Sequence, residues 1–223
     1  MPKTKKVEPP QAASRLPATV RTGDVDARLA RAGALERPIA ELLAARAYDG
    51  ELVLSDGPTT VSGAFRVGAV PIVVDGDLDV AGCLEDCDGC DSSLLVVLGS
   101  CRTRDVLTCS EVVIAGDLVV ARAVVGDSLG DGTLLVGGTL RAAAVVENGH
   151  RFQILGALEA PAIHESCRND ALLERGRFDA AGDFRGQLVR ARGRLRPTLE
   201  DADGLPELRK LVRAVKRGEP LFC

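Results

Sequence analysis

The sequence predicts an all-β core with helical ends, built as a parallel β-helix of about 20 residues per coil that short helices cap. Three observations support this prediction. A short glycine phrase recurs along the middle of the chain, its flanks are rich in Val, Leu and Ala, and no helix-length segment separates the copies. A doubly wound α/β sheet would need a helix between its parallel strands.

The recurring phrase has two apolar residues, a variable residue, glycine, a variable residue, and then Leu or Phe. Clear copies span 73–80, 113–120, 135–142 and 153–160, and weaker ones lie at 97–103 and 61–67. From Gly76 the glycines recur after 23, 17, 22 and 18 residues, so long and short connections alternate. An antiparallel sandwich, the competing fold, predicts Asn-Gly or Asp-Gly hairpins instead of one fixed phrase.

Each copy predicts two short strands that meet at the glycine, followed by a third apolar strand. Glycine suits this corner because it tolerates positive φ. The Leu two places later should point inward and stack on its equivalent in the next coil. The predicted corner glycines are Gly76, Gly99, Gly116, Gly138 and Gly156, and the predicted ladder is Leu78, Leu118, Leu140 and Leu158, with Cys101 in the same column.

The ends of the chain differ from its middle. Two short helices are expected at Asp24–Leu35 and Pro38–Ala47, and a third at Leu205–Arg217, where Gly218 favours termination. We therefore divide the chain into a disordered basic arm (1–22), a helical N-terminal cap (23–49), a β-solenoid (50–165), and a degenerate last coil with a C-terminal helix (166–223).

The degenerate last coil is expected to begin at Gly182-Asp183-Phe184 and to contain a strand over Gln187–Leu195. Alternation over Gln187–Leu195 gives this strand one basic face. In the segment 168–196, the arginines that alternate with other residues are Arg185, Arg190, Arg192, Arg194 and Arg196.

The net charge of −4 is distributed unevenly. Residues 50–165 hold 17 acidic and 6 basic residues, a net charge of −11, whereas 1–22 (5 basic, 1 acidic) and 166–223 (13 basic, 9 acidic) each carry +4. The acidic coils are therefore expected to repel nucleic acid and to form a protein-binding face. Three lysines in the arm predict only weak contact with an anionic membrane.

The first 20 residues show no basic-then-apolar leader, and no run of about 18 apolar residues occurs in the chain. We therefore expect neither a secretory signal nor a membrane span. Seven cysteines, an odd number, are expected to remain reduced thiols in the cytoplasm.

The phrases Gly76-Asp77-Leu78 and Gly116-Asp117-Leu118, repeated between polar tails, resemble the bactofilins and other polymer-forming cytoskeletal proteins. The resemblance covers about residues 60–165. It implies a right-handed β-helix that stacks end to end into nucleotide-free filaments, with a terminal tail that touches the membrane.

Cys83, Cys87 and Cys90 form a C-x3-C-x2-C pattern. The spacing is that of an iron–sulfur cluster in radical-SAM enzymes, but those enzymes need a barrel of strand–helix units. The other interpretations are a structural Zn²⁺ site, completed by a loop Asp or by Cys109, and an exposed loop of reduced thiols. The acids Asp86, Asp88 and Asp91 could alternatively hold Ca²⁺.

The two histidines, His150 and His164, lie near Glu147 and Glu165, about one short coil apart. Stacking on neighbouring coils would give an acid–base pair, but the pattern favours two polar residues at corners of a solenoid, because no nucleophile lies nearby in the sequence. The chain keeps no six-residue period like that of β-helical acyltransferases, and it has no phosphate-binding loop ending in Lys-Ser/Thr.

The sequence therefore favours a non-enzymatic structural or scaffolding solenoid, self-assembling like a bactofilin. The alternative is a protein-binding module of immunity or adaptor type, and a metal-binding protein is third. The expected partners are a second copy or another protein, with no nucleic acid, and no cofactor is expected apart from Zn²⁺ at the cysteine loop.

Overall fold

The computed structural model describes residues 18–21 (backbone only), 25–46, 51–86, 93–128, 132–166 and 173–223. The middle of the chain winds into a β-solenoid of about six turns of about 19 residues, so the predicted fold class is confirmed. Neighbouring coils pair through parallel strands, and antiparallel pairs occur at the two ends of one sheet.

Side 1 of the solenoid is a nine-stranded sheet. All of its strand pairs are parallel except the first pair and the last pair. In spatial order its strands are β1 (Ala18–Arg21), β2 (Glu51–Asp56), β5 (Ile72–Asp75), β7 (Leu94–Val97), β9 (Glu111–Ile114), β12 (Thr133–Val136), β15 (Arg151–Ile154), β18 (Leu173–Phe178) and β19 (Phe184–Leu188).

The second sheet bends into two rows of strands, which form sides 2 and 3 of the solenoid. Two long strands, β6 (Leu78–Glu85) and β8 (Cys101–Thr108), run through both rows. Elsewhere two short strands replace the long one, which gives the predicted three strands per coil. Side 2 continues with β3 (Thr59–Val61), β10 (Leu118–Val120), β13 (Leu140–Arg141) and β16 (Leu158–Glu159), and side 3 with β4 (Phe65–Arg66), β11 (Ala123–Asp127), β14 (Ala144–Asn148) and β17 (Ala162–Glu165).

The predicted inward ladder is confirmed by the strand register. Leu78, Cys101, Leu118, Leu140 and Leu158 pair in succession, and the first four are fully buried. The weak copy at 61–67 does not open this column, because Thr59 pairs with Leu78. Residues 61–67 instead form the next corner, where the Gly82 amide donates to the Gly63 carbonyl.

The reason for the corner glycines differs from the one predicted. Of the five, only Gly76 has a φ in the left-handed region, at 149°. At Gly99, an added Cβ would lie 2.6 Å from the carbonyl carbon of Gly76, and at Gly138 it would lie 2.8 Å from that of Gly116. Close approach of successive coils therefore excludes side chains at these corners.

The N-terminal helices cover the outer surface of one side of the solenoid and do not lie across the end of the coil stack. They comprise α1 (Asp26–Leu29), a 3₁₀ segment (Ala30–Leu35) and α2 (Glu36–Arg46). Their apolar face packs on the outer surface of side 1, from β2 to β12. The outward Leu and Val side chains of these strands explain this placement, because each fully buried side chain contributes about 1.5–3 kcal/mol. The buried residues of this interface are Val25, Leu29, Leu35, Ile39 and Leu43 from the helical segment, and Leu52, Leu54, Val73, Leu94, Val96, Val113 and Leu135 from the sheet.

The C-terminal helix α3 (Leu208–Arg217) covers side 3 in the same manner. Its buried Leu211, Ala214 and Val215 belong to one apolar cluster with residues of β6, β8, β11 and β14. The helix ends at Gly218 in the left-handed conformation, as predicted. Side 2 has no helical cover among the described residues, and its outer surface carries ion pairs such as Arg141–Glu159 at 2.7 Å.

Two further expectations are corrected. Ala18–Arg21, assigned to the disordered arm, form β1, because the free edge of β2 offers unpaired backbone groups. The segment after Gly182 is not another coil but an antiparallel return, since β19 pairs with β18 in reverse. No helix among the described residues is long and apolar enough to cross a membrane.

Candidate functional site at the arginine end

The core of the solenoid changes character at both ends. One inward column of side 1 consists of Val74, Val97, Ile114, Val136 and Ile154. Ser55 precedes this column in the first coil, and Arg175 follows it in β18. If the apolar column continued to either end of the solenoid, it would favour the docking of another coil. Polar residues instead interrupt the column at both ends.

At the N-terminal end the interruption is neutral. Ser55 Oγ lies 2.6 Å from Thr59 Oγ1, so the two hydroxyls share a hydrogen bond at the first corner. Thr59 also heads the leucine ladder. The antiparallel strand β1 covers the edge of β2 at this end.

At the C-terminal end the interruption is cationic. Arg175 Nε donates a hydrogen bond to the Gly156 carbonyl at 3.0 Å. The chain then reverses, and the Val189 amide donates to the Leu173 carbonyl at 2.9 Å. The Arg192 and Ile163 backbones exchange two hydrogen bonds, which holds the return segment against the end of side 3.

The β18–β19 hairpin places arginines on one face. Arg175 pairs with Gln187, and Arg177 lies directly opposite Arg185. Two like charges in a cross-strand pair destabilise a sheet unless counter-charges are present. Arg185 has two, Asp179 at 2.8 Å and Asp183 at 2.9 Å, and this contact lowers the pKa of Asp179 below its ordinary value. Arg177 contacts no carboxylate among the described residues.

Two clefts adjoin this face. The larger, of about 430 Å³, is lined by Leu155, Arg175, Gly176, Arg177, Arg185 and Gln187. The smaller, of about 230 Å³, is lined by Leu158, Arg175, Gln187, Leu188, Val189 and Arg192. We call the hairpin with these two clefts the arginine end.

The acidic coils offer less negative surface than their charge count predicts, because several carboxylates are buried and paired inside the molecule. Arg28 and Arg31 bind Asp75, Arg104 and Arg122 bind Asp105, and Arg66 and Lys216 bind Glu85. The helical segments supply several of these cations. The buried acids of the coils are Asp75, Glu85, Asp86, Asp105, Glu111 and Glu147.

The Asp of the Gly-Asp phrase also has an internal role. Asp77 Oδ1 accepts the Ser100 amide hydrogen at 2.7 Å, and Asp117 Oδ1 accepts the Thr139 amide hydrogen at the same distance. Each carboxylate thus satisfies a backbone donor at the corner of the next coil. The phrase therefore marks coil stacking, which accounts for its repetition.

The cysteine prediction is only partly covered by the structure. Cys83 is 3% exposed beneath α3, and burial raises the pKa of its thiol to about 12. Cys87 and Cys90 lie outside the described residues, as do Asp88 and Asp91. Asp86 is buried and accepts hydrogen bonds from Thr108 Oγ1 and the Cys109 amide. Within the described ranges no three His, Cys, Asp or Glu side chains are grouped as metal ligands would be.

The two histidines do not pair with each other in the strand register, so the alternative of a stacked acid–base pair is not met. His164 pairs with Val146 on side 3, whereas His150 lies at the corner before β15. His150 is fully buried, and an added Cβ at Gly132 would lie 2.6 Å from its Nδ1. Burial lowers the pKa of His150 to about 3. Neither of its ring nitrogens has a hydrogen-bond partner within the described part of the chain.

Sequence reasoning identified Arg185 and Arg192 but missed Arg175 and Arg177, which belong to the same surface. The sequence signal for these two arginines is the alternation of charged and other residues in Leu173-Glu-Arg-Gly-Arg-Phe178.

No family model, curated protein or solved structure matches this chain.

Proposed function

We propose that this chain is a non-enzymatic β-solenoid that works as a discrete protein-binding module of adaptor or immunity type. The termination of the stack at both ends carries the proposal. Polar residues interrupt the core column at each end, and antiparallel strands flank side 1. A rigid unit of this kind presents side chains to a partner without polymerising.

End-to-end scaffolding, the function that the bactofilin resemblance favours, requires each end to accept a further parallel coil. Arg175 occupies the position where the next apolar residue of the column would lie. Docking a coil on this end would desolvate its guanidinium and that of Arg177. We therefore rank self-assembly second.

The partner surface that we favour is the arginine end and not the acidic coils. Arginine is enriched at the centres of protein interfaces, and here several guanidiniums converge beside two clefts. The clefts show no nucleophile or general base among their described lining residues, which supports a binding role over catalysis.

A protein partner fits this surface better than nucleic acid. The chain has only six aromatic residues for base stacking, and the coils carry a net negative charge. Cys83, Cys101, Cys109 and Cys223 are free, which fits the expected cytoplasmic location.

Light scattering with negative-stain imaging, over a range of protein and salt concentrations, tests the proposal. We expect one constant mass and no filaments. Filaments, or a mass that grows with concentration, would overturn it in favour of scaffolding. The double variant R175L/R177L, which extends the apolar column, is expected to associate, whereas the charge-matched control R209L/R213L on α3 should remain discrete.

A further inference from the structure

The strand β19 has a free edge among the described residues, because the order of side 1 ends with it. Hydrogen bonds join Val189 to Leu173 and Asp179 to Asp183 at the two ends of the hairpin. In an antiparallel pair such bonded positions alternate. The backbone groups of Phe184, Gly186 and Leu188 therefore point away from β18, and they present three N–H donors and three C=O acceptors.

The two faces beside this edge differ in chemistry. Arg185 and Gln187 lie on the face that also carries Arg175 and Arg177. The opposite face carries Phe184, which packs edge-on against Phe178 with ring centroids 5.4 Å apart, and Leu188, which is 58% exposed and pairs with Glu174 of β18. Leu188 is one of the two large hydrophobic residues exposed among those described.

We propose that an extended acidic segment of a partner protein binds β19 as an added strand, with alternating acidic and apolar residues. This inference rests on the proposed binding function and specifies its partner. The added strand would pair with the outward backbone groups of β19. Its side chains would alternate between the two faces, so that carboxylates meet the arginines and apolar residues meet Leu188 and Phe184.

The charge distribution selects this occupant over the alternatives within the chain. Pairing two copies of β19 about a two-fold axis at Gly186 would place two sets of arginines on one continuous face. The N-terminal arm, with five basic residues and one acidic residue, would be repelled in the same way. An acidic strand instead supplies the counter-charge that the Arg177–Arg185 pair lacks on the side of Arg177.

The edge arginines also have a protective effect, since charges on an edge strand discourage aggregation. Protection alone predicts no preference among peptides. Recognition of a partner strand predicts that peptide binding prefers an alternating sequence, requires free amides in the peptide and depends on the edge of β19.

Binding of fluorescein-labelled octapeptides to the full chain, followed by fluorescence anisotropy, tests the inference. The probe alternates Asp and Leu, the order control has the same composition as four Asp followed by four Leu, and a third peptide is the probe N-methylated at every second residue. We expect the probe to bind at least ten times more tightly than either control. Its affinity should fall as salt rises, because screening weakens the ion pairs.

Variants locate the site. L188P removes one outward N–H donor at an exposed edge position and should weaken probe binding at least tenfold, whereas L188T keeps the donor and should lose less affinity. R177E/R185E should abolish binding, and R209E/R213E on α3 gives the same charge change elsewhere and should leave it unaltered. Circular dichroism checks the fold of each variant, and the N-methylated peptide tests the edge without altering the protein.

Equal binding of the probe and the order control, or full binding of the N-methylated peptide, would overturn the inference. Tighter binding of a single-stranded oligonucleotide, unaffected by L188P, would overturn it in favour of nucleic acid. If no peptide binds while light scattering shows a discrete particle, the strand-addition inference fails and the proposed discrete unit stands. Filaments would instead contradict the proposed function itself.

Discussion

The two ends of the solenoid stop the same repeat by different physical means. At the N-terminal end, the Ser55–Thr59 hydrogen bond replaces apolar packing with a neutral polar contact. At the C-terminal end, the exposed Arg175 places a charge at the end of the core column, and the chain reverses direction. A hydrogen-bonded pair of hydroxyls ends the apolar column without adding charge, whereas a group of arginines also creates a cationic surface that can attract an acidic partner.

Between the ends, the coils are uniform and tightly packed. Glycine corners of successive coils hydrogen-bond directly, as from the Gly138 amide to the Gly116 carbonyl at 2.9 Å. Such packing leaves little freedom for substitution. Middle and ends should therefore respond differently to the same type of change.

The largest effect is expected from G138V in the middle of the stack. Its Cβ would lie 2.8 Å from the backbone of Gly116, so the coils must separate, at a cost of about 4 kcal/mol in the free energy of unfolding. The matched end variant, G63V, has no atom within 4 Å of its added Cβ and should cost less than about 1 kcal/mol. Urea unfolding followed by circular dichroism measures both, and equal losses would remove the distinction between middle and end.

Truncation of the leucine ladder should give the next largest effect. L118A removes a fully buried side chain in the middle of the column and should cost about 3 kcal/mol. L158A, in the half-buried last member, should cost about half as much, because the end of the column is less enclosed. A larger loss at Leu158 in urea unfolding would contradict this gradient.

Acid should destabilise the interior of the solenoid through the buried His150. Its folded-state pKa of about 3 lies below the ordinary value of 6.5, so the unfolded chain binds the extra proton between these values. Stability should fall by up to about 1.4 kcal/mol per pH unit as pH drops from 6.5 towards 3. Glu111 opposes this trend, because burial raises its pKa and the folded state then gains a proton more readily.

The comparison of wild type with H150Q isolates the histidine from Glu111 and the other carboxylates. The variant should show a shallower decline between pH 6.5 and 4 in unfolding experiments. H164Q, at the half-buried position, is the control and should alter the slope less. Parallel curves for wild type and H150Q would contradict the assignment.

The smallest expected changes in stability distinguish the N-terminal end of the solenoid from its C-terminal end. S55A loses the hydroxyl pair and should cost about 1 kcal/mol, independently of salt. R177T removes one member of a like-charge cross-strand pair and should stabilise the protein slightly, by an amount that disappears at high salt. Thermal unfolding at low and high salt measures both, and a salt-dependent S55A would contradict the neutral closure.

The parts of the fold that sequence predicted are those fixed by contacts between neighbouring coils. Leu118 and Leu140 stack because one phrase recurs after 22 residues, and a recurring phrase brings equivalent residues into register. The end of α3 at Gly218 was predicted for a similar reason, since a left-handed glycine terminates a helix locally. The arginines after Gly182 were also visible as an alternation.

A glycine phrase that recurs about every 20 residues is enough to predict a solenoid with glycine corners. The pattern does not show that α2 covers side 1, that β19 runs antiparallel to β18 or that His164 pairs with Val146, which the folded structure shows. An amphipathic helix carries no information about which of several apolar surfaces it will cover, and a strand pattern is the same in either direction. These placements depend on contacts between residues that are far apart in the chain. One of them, the reversed direction of β19, creates the arginine end.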